Sequence, residues 1–380
     1  MSNIPNYEQW GKMNEFLNSI AVSLSDGVDV STWVGIQKAV RLGLARDFFP
    51  IGAQLKVNHG VYGDVVFDVV AHDHFKSASD GNAHTMTLMA HNALGSVEYD
   101  GREAFYYAEN GLVAGTYNFT IEKSVSNWAA GTYQFALTKA LPAGGQLGIS
   151  RNSSSGALTS LQVVTYADRI TTSVGESVSI SLGSSGTSLG VFGVELNHAE
   201  RVSSGSNNYK ESALRQVLNS AAGAGNVWSP QTKFDRPPSW VSTLAGYAGG
   251  FEDEFLSVVG EVIVPCGSNT VYESPDSTTV KNEAYTVVDR FYPASSTEVG
   301  LVNYYGVDDG SIVFPYYKGA VNADRIKQKD GINVSWMTRT ARATSSGGVS
   351  NMIQIVETDG RSAGWAVSSG ARVVPVCNIV

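Results

Sequence analysis

Apolar residues recur at alternating spacings of three and four through Trp10, Met13, Leu17, Ile20 and Leu24. That spacing is the a/d seam of an amphipathic helix. It runs for about two heptads, fewer than the three or four a coiled coil needs. Ser25-Asp26-Gly27 stops it, and a second amphipathic stretch starts near Ser31 as N-cap, with Trp33, Ile36, Val40 and Leu44 on one face. Residues 1–49 therefore predict a helical pair. It is either a hairpin packed on its own domain or an anchoring element that oligomerises through Trp10, Met13, Leu17, Ile20 and Leu24.

From Phe49 the period changes to that of strands. Gln54–Val57, Val65–Val70 and Met86–Met89 are short β-branched or apolar runs separated by Gly and Asp turns. Ala114-Gly115-Thr116-Tyr117-Asn118-Phe119 then recurs as Ala130-Gly131-Thr132-Tyr133-Gln134-Phe135, each copy placing Tyr and Phe on one sheet face. With Leu161–Thr165 and Ser177–Leu182 this predicts an inserted, all-β, sandwich-like unit over 113–192, bounded by Ser/Gly clusters. Asn208 and Glu211 have capping-box spacing ahead of a helix whose buried face is Ala213, Leu214, Val217 and Leu218. Phe251–Leu256 predicts another short helix. The rest reads as strands at 260–264, 284–288, 336–338, 352–356 and 373–379. The fold class is α+β.

Two segments carry a family resemblance. Residues Gly205 to Asn219, with Asn208-Tyr209-Lys210-Glu211-Ser212-Ala213-Leu214-Arg215-Gln216-Val217-Leu218-Asn219, resemble the helix N-x-W-x-x-S-x-L-R-x-W-L-N of a lectin-like family. Trp336-Met337-Thr338-Arg339 followed by Gly370-Ala371-Arg372-Val373-Val374-Pro375-Val376-Cys377 resembles its W-W-L-R-[ST] … G-V-R-P-[AV] ending. The family is the C-type-lectin-like, formylglycine-generating-enzyme-like domain of gut bacteria and their phages. The resemblance spans most of 49–112 and 193–380, and implies one lectin-like domain built from 50–112 and 193–380. Tyr209, Val217 and Met337 stand where the motifs have Trp.

The resemblance implies a virion surface protein, such as a tail-tip, fibre or head-surface adhesin, made in a bacterial cytoplasm. Its partners would be virion structural proteins and a host-surface glycan or protein, and the assembly a homo-oligomer, with a trimer favoured. Related folds are also targets of diversity-generating retroelements, which vary the final lectin segment. The alternatives are a capsid-decoration protein without a receptor role and, more remotely, a carbohydrate-active enzyme. Between Trp336 and Arg372, Arg339, Arg342, Ser345, Asn351, Arg361 and Trp365 are set among Ser, Gly and Asn, with Tyr304 and Tyr316 in loops before them. Arg and aromatic anchors among adaptable polar residues suit recognition. The expected ligand surface is therefore the loops Arg339–Asn351 and Asp359–Trp365, with Trp336 and the 370–377 strand as scaffold.

Composition narrows this further. Only 16% of the 380 residues are charged, 40 are Gly, and the net charge is −9. Nucleic-acid binding needs a basic surface that such a chain lacks. No apolar run reaches the ~18 residues of a membrane span, and Met1–Tyr7 lacks the basic region of a secretory signal. Cys266 and Cys377 fit no metal or redox spacing; they are two buried thiols or one disulfide.

Candidate chemistry is sparse. His72 and His74 would share a sheet face, but zinc needs three or four ligands, and His59, His84 and His91 would have to converge on them. Gly186-Thr187-Ser188-Leu189-Gly190 matches the nucleophile elbow in letters only, inside a Ser/Gly-rich stretch. Glu252-Asp253-Glu254 and Asp308-Asp309 read as helix-start and turn charges rather than a glycosidase pair. The sequence therefore predicts a binding protein, without catalysis, metal or cofactor.

Overall fold

The computed structural model describes residues 28–121, 131–151, 161–166, 177–182, 187–191, 201, 202, 204–268, 283–303, 307–342 and 352–380. The chain is mixed α and β, with strands predominating. Among the described residues, its α-helices include α1 (Trp33–Arg41), α2 (Ala45–Phe48), α3 (Ala213–Asn219) and α4 (Asp253–Val258). The seam of Trp10, Met13, Leu17, Ile20 and Leu24 lies outside the described residues.

The second predicted helix forms as α1, capped one residue later than expected. Thr32 Oγ1 accepts from Gly35 N at 3.1 Å, while Asp29 takes up the Ser31 amide and hydroxyl. Trp33, Ile36 and Val40 are buried, but the helix ends at Arg41 because Gly43 adopts φ 72°, so Leu44 leaves the stripe. α1 packs on the main body: the Trp33 ring lies 4.7 Å from Phe255 of α4, and Gln37 Nε2 donates to the Val380 carbonyl.

Among the described residues, six strands precede the aromatic repeat: β1 (Gln54–His59), β2 (Gly63–His72), β3 (Lys76–Ser77), β4 (Met86–Ala90), β5 (Ser96–Val97) and β6 (Ala104–Ala108). Next come β7 (Gly115–Ile121), β8 (Gly131–Leu137), β9 (Gly145–Arg151), β10 (Leu161–Tyr166), β11 (Ser177–Leu182) and β12 (Thr187–Val191). The remainder are β13 (Val262–Ser268), β14 (Glu283–Asp289), β15 (Phe291–Pro293), β16 (Lys327–Lys329), β17 (Ile332–Val334), β18 (Trp336–Arg342), β19 (Met352–Val356), β20 (Ser362–Ala366), β21 (Ala371–Arg372) and β22 (Pro375–Ile379).

One sheet runs β1-β2-β4-β22-β15, so the C-terminal strand lies between the N-terminal strand β4 and β15. Every residue of β4 and β22 is buried, the pattern of strands covered on both faces. A second sheet, β20-β19-β18-β21-β5, pairs β18 with β21 in parallel at Trp336↔Arg372. The two halves of the C-terminal signature therefore lie side by side, with Trp336 fully buried and its Nε1 donating to the Arg325 carbonyl. The expected capping box at Asn208 splits in two. Asn208 Oδ1 caps the turn Tyr209–Glu211, and Ser212 Oγ caps α3 through Arg215 N.

The aromatic repeat pairs with itself. β7 and β8 run antiparallel, with Tyr117 opposite Phe135 and Phe119 opposite Tyr133, the rings stacked at 5.7 and 5.4 Å. They belong to a sheet ordered β12-β7-β8-β11-β10-β9-β6. Four strands separate β6 from β7 in that order, yet the Phe105 and Phe119 rings are 5.1 Å apart, so the sheet curls back over its own core. That core, around Phe105, Phe119, Phe135 and Leu147, is separate from the main one.

Where the two cores meet, four buried or partly buried carboxylates cluster. Arg201 Nε donates to Glu103 at 2.6 Å and its Nη2 to Glu211 at 3.0 Å. Asp100 accepts from Ser206 N and Ala213 N, and Glu103 pairs with Asp235 through a backbone β-bridge. Burial raises Glu103 to about 7, with Asp235 and Glu211 adding to it against Arg201, and burial also raises Asp100 and Asp235. The folded state therefore holds these protons more tightly than the unfolded chain, and stability rises as pH falls through 7. Between pH 8 and 6.5 we expect a gain of about 1 kcal/mol from Glu103. Burial keeps His59, His72 and His74 below 6.5, so they stay neutral in this window. Urea unfolding at the two pH values should show the gain in the wild type and a smaller one in Glu103→Gln; identical responses would refute it.

Candidate functional site

The Asp359-Gly360 turn joins β19 to β20. Glu357 N donates to the Arg361 carbonyl, Gly360 N to the Glu357 carbonyl, and Arg361 N to Asp359 Oδ1. Gly360 sits at φ 80°, and a Cβ there would lie 1.7 Å from the Asn322 carbonyl oxygen. The turn is thus pressed directly onto the 320–322 segment. Opposite, Arg325 draws two loops together: its Nε donates to the Val299 carbonyl at 2.6 Å, and its Nη2 to the carbonyls of Gly300 and Ala320 at 2.7 and 2.9 Å. Among the described residues no carboxylate lies within ion-pair distance of this buried guanidinium.

Gln354, fully buried, ties two segments of the wall together. Its Nε2 donates to the Val302 carbonyl and to Ser362 Oγ, both at 2.7 Å, while its Oε1 has no hydrogen-bond partner among the described residues. Together these segments enclose an open pocket of about 610 Å³, lined by Gly300–Val302, Ala320–Asn322, Arg325, Arg361 and Ser362. Arg361 stands at its rim, largely exposed, 3.3 Å from Asp359. None of the described lining residues is Asp, Glu, His or Cys. The lining offers a hydroxyl, a carboxamide, two guanidiniums and the aliphatic side chains of Val302 and Val321, a set that can hydrogen-bond and pack.

Of the residues expected at the ligand surface, the structure brings Arg361 to this pocket. Arg339 is corrected: it is wholly buried, bonded to Glu298 and to the carbonyls of Pro265 and Pro293, and cannot meet a ligand. Arg342 is half-buried and passes over Gly364, where a Cβ would lie 2.7 Å from its Cδ; its Nη1 is buried without a partner among the described residues. Trp365 is half-buried against the main core, and Tyr316 lies over Gly52, apart from the pocket lining. Tyr304, Ser345 and Asn351 lie outside the described residues.

The two expected segments meet at one end of β19, where Arg342 passes over Gly364 and Trp365 pairs with Ile353, while Arg361 lies at the Val356 end, roughly 13 Å along the strand. Arg325, Asn322 and Gln354 were missed. Gln354 alone left a signal, as a polar residue inside the apolar run Met352-Ile353-Gln354-Ile355-Val356.

The other candidates do not assemble. Asp73 at φ 55° breaks the alternation between His72, which bonds the Phe49 carbonyl, and His74, which packs on Phe75 and Phe314. His59 bonds the Tyr247 carbonyl, His84 pairs with Asp73 and His91 with Asp68. No group of three metal-ligating side chains occurs among the described residues. Ser188 sits within strand β12, not on a strand-to-helix turn. Glu254 accepts from Trp33 N at the start of α4, and Asp308 and Asp309 accept from the backbone of their own turn. Cys266 and Cys377 are buried free thiols. No helix among the described residues is long and apolar enough to cross a membrane.

Residues 187–380 match the family model of DUF6273, a domain of unknown function. The chain belongs to the DUF6273 family. No curated protein and no solved structure matches it. Every residue lining the pocket falls within the DUF6273 segment. Its last strand, β22, nevertheless pairs with β4, which precedes that segment, so the DUF6273 segment shares a sheet with residues 86–90.

Proposed function

We propose that this DUF6273 protein is a non-covalent recognition protein, and that the pocket at the β19–β20 turn binds a ligand displayed on another surface. The observation that carries this is the pocket itself. Its volume of about 610 Å³ falls within the ~300–1,000 Å³ of ligand sites, and its walls mix aliphatic and hydrogen-bonding groups. Three devices preorganise those walls: the Arg325 clamp, the Gln354 bridge and the Gly360 contact. The described lining residues carry a hydroxyl, a carboxamide and guanidiniums rather than a carboxylate, imidazole or thiol, a set that suits holding a ligand better than breaking a bond in it.

The resemblance to C-type-lectin-like domains gives the setting. The paired signature halves at Trp336 and Arg372 support a lectin-like fold, and on that reading the protein is a virion adhesin meeting a host-surface glycan or protein. Oligomerisation through the Trp10–Leu24 seam would convert weak single-site binding into avidity.

The test uses the full chain, biotinylated and tetramerised on streptavidin, against bacterial cells and a glycan array. Binding should appear and fall about tenfold or more in Arg361→Glu, at unchanged thermal stability because the side chain is exposed. Absence of binding to every cell and glycan, or equal binding by the variant, would sink the proposal.

A further inference from the structure

β20 is the outer strand of its sheet: β19 covers one edge, and no strand among the described residues pairs with the other. The register fixes which backbone groups face outward. The bond from Glu357 N to the Arg361 carbonyl makes 357/361 a hydrogen-bonded pair and, by alternation, 355/363 and 353/365 as well. Arg361, Ala363 and Trp365 therefore direct N–H and C=O toward β19, whereas Ser362 and Gly364 direct theirs away from the sheet. Neither makes a backbone hydrogen bond on that side with a described residue, and both are partly exposed.

The outer strands of the first sheet are guarded: β1 exposes Gln54, Lys56 and Asn58, and β15 ends in Pro293, polar, charged and proline residues that deter a further strand. Ser362-Ala363-Gly364-Trp365-Ala366 contains neither a charge nor a proline. The pocket begins where this edge does, at Ser362. In an added strand, the residue opposite Ser362 projects its side chain to the same sheet face as Ser362. Gln354 and Val302 lie on that face. Val302 and Val321, 65% and 63% exposed, form an apolar lip there.

We infer that β20 binds an extended polypeptide by strand addition, its main chain bonding Ser362 and Gly364 and an apolar side chain entering the pocket between Val302 and Val321. The inference rests on the binding reading and names the ligand class. Paired donors and acceptors recurring every second residue, roughly 7 Å apart, match a peptide backbone and not the hydroxyls of a sugar.

To test it, the full chain is panned against a random linear peptide library. Enriched peptides are remade with N-methyl groups on alternate residues, in either phase. One phase should weaken binding at least tenfold and the other much less, and the bound peptide should slow hydrogen exchange at the Ser362 and Gly364 amides. The inference is overturned if no peptide is enriched, if both phases behave alike, or if protection falls elsewhere. Concentration-dependent protection of the same amides without peptide would make a second copy of the chain the occupant, and also overturn it. Failure here with Arg361-dependent cell or glycan binding intact removes strand addition alone; failure of both removes the pocket reading as well.

Discussion

Arg339→Met is expected to lower the free energy of unfolding by about 3–5 kcal/mol, the cost of leaving a buried charge without its partner. Arg339 and Glu298 are both wholly buried, and Arg339 Nη1 donates to Glu298 Oε2 at 2.7 Å while Nη2 engages Oε1. The same guanidinium donates to the carbonyls of Pro265 in β13 and Pro293 in β15, and lies over the Tyr292 ring. Methionine fills much of the volume but strands the carboxylate and two carbonyls. Arg339→Lys keeps the charge without the planar fork, so it should fall between. The double variant Arg339→Met/Glu298→Leu should recover part of the loss, because no buried charge remains. Urea unfolding with a constant m-value measures all three; a loss under ~1 kcal/mol in Arg339→Met would contradict this account.

This residue also shows why part of the site was illegible. In sequence, an Arg two residues before Ala341, in a run thick with Thr and Ser, has the composition of a recognition loop. Its partners lie 41 and 74 positions away, at Glu298 and Pro265, and no local spacing reports them. What the pattern did report was local: the two strands of the aromatic repeat, the apolar face of α3, and α1 to within one residue of its cap. These follow from periodicity and side chains within a few positions of each other. The arrangement of the sheets did not, because β22 reaches its place beside β4 only by long-range pairing.

The pocket was half legible for the same reason. The Asp359–Trp365 loop drew attention through its Arg and Trp, and it does form a wall. The opposite wall, 300–302 and 320–322, has no such residues; it is held by Arg325 through backbone carbonyls, which carry no sequence signature. Five residues of β19 separate Arg361 from the end where Arg342 passes over Gly364 and Trp365 pairs with Ile353, so a ligand that meets both ends runs along β20.

Gly360→Ala should have the largest effect on binding, reducing pocket affinity about tenfold or more, together with a loss of about 2–3 kcal/mol in stability. Two costs combine. At φ 80° any Cβ is strained, and here it would also meet the Asn322 carbonyl oxygen at 1.7 Å, so the turn must lift off the 320–322 segment. Lifting it separates Arg361 and Ser362 from Asn322 and breaches the wall between them. Gly331→Ala is the control: its φ is 78°, and a Cβ there would have no atom within 4 Å. It should carry the conformational cost, about 1 kcal/mol, and leave binding unchanged. The difference between the two variants isolates the contact. If Gly360→Ala and Gly331→Ala matched in both stability and binding, the turn would not be part of the pocket wall.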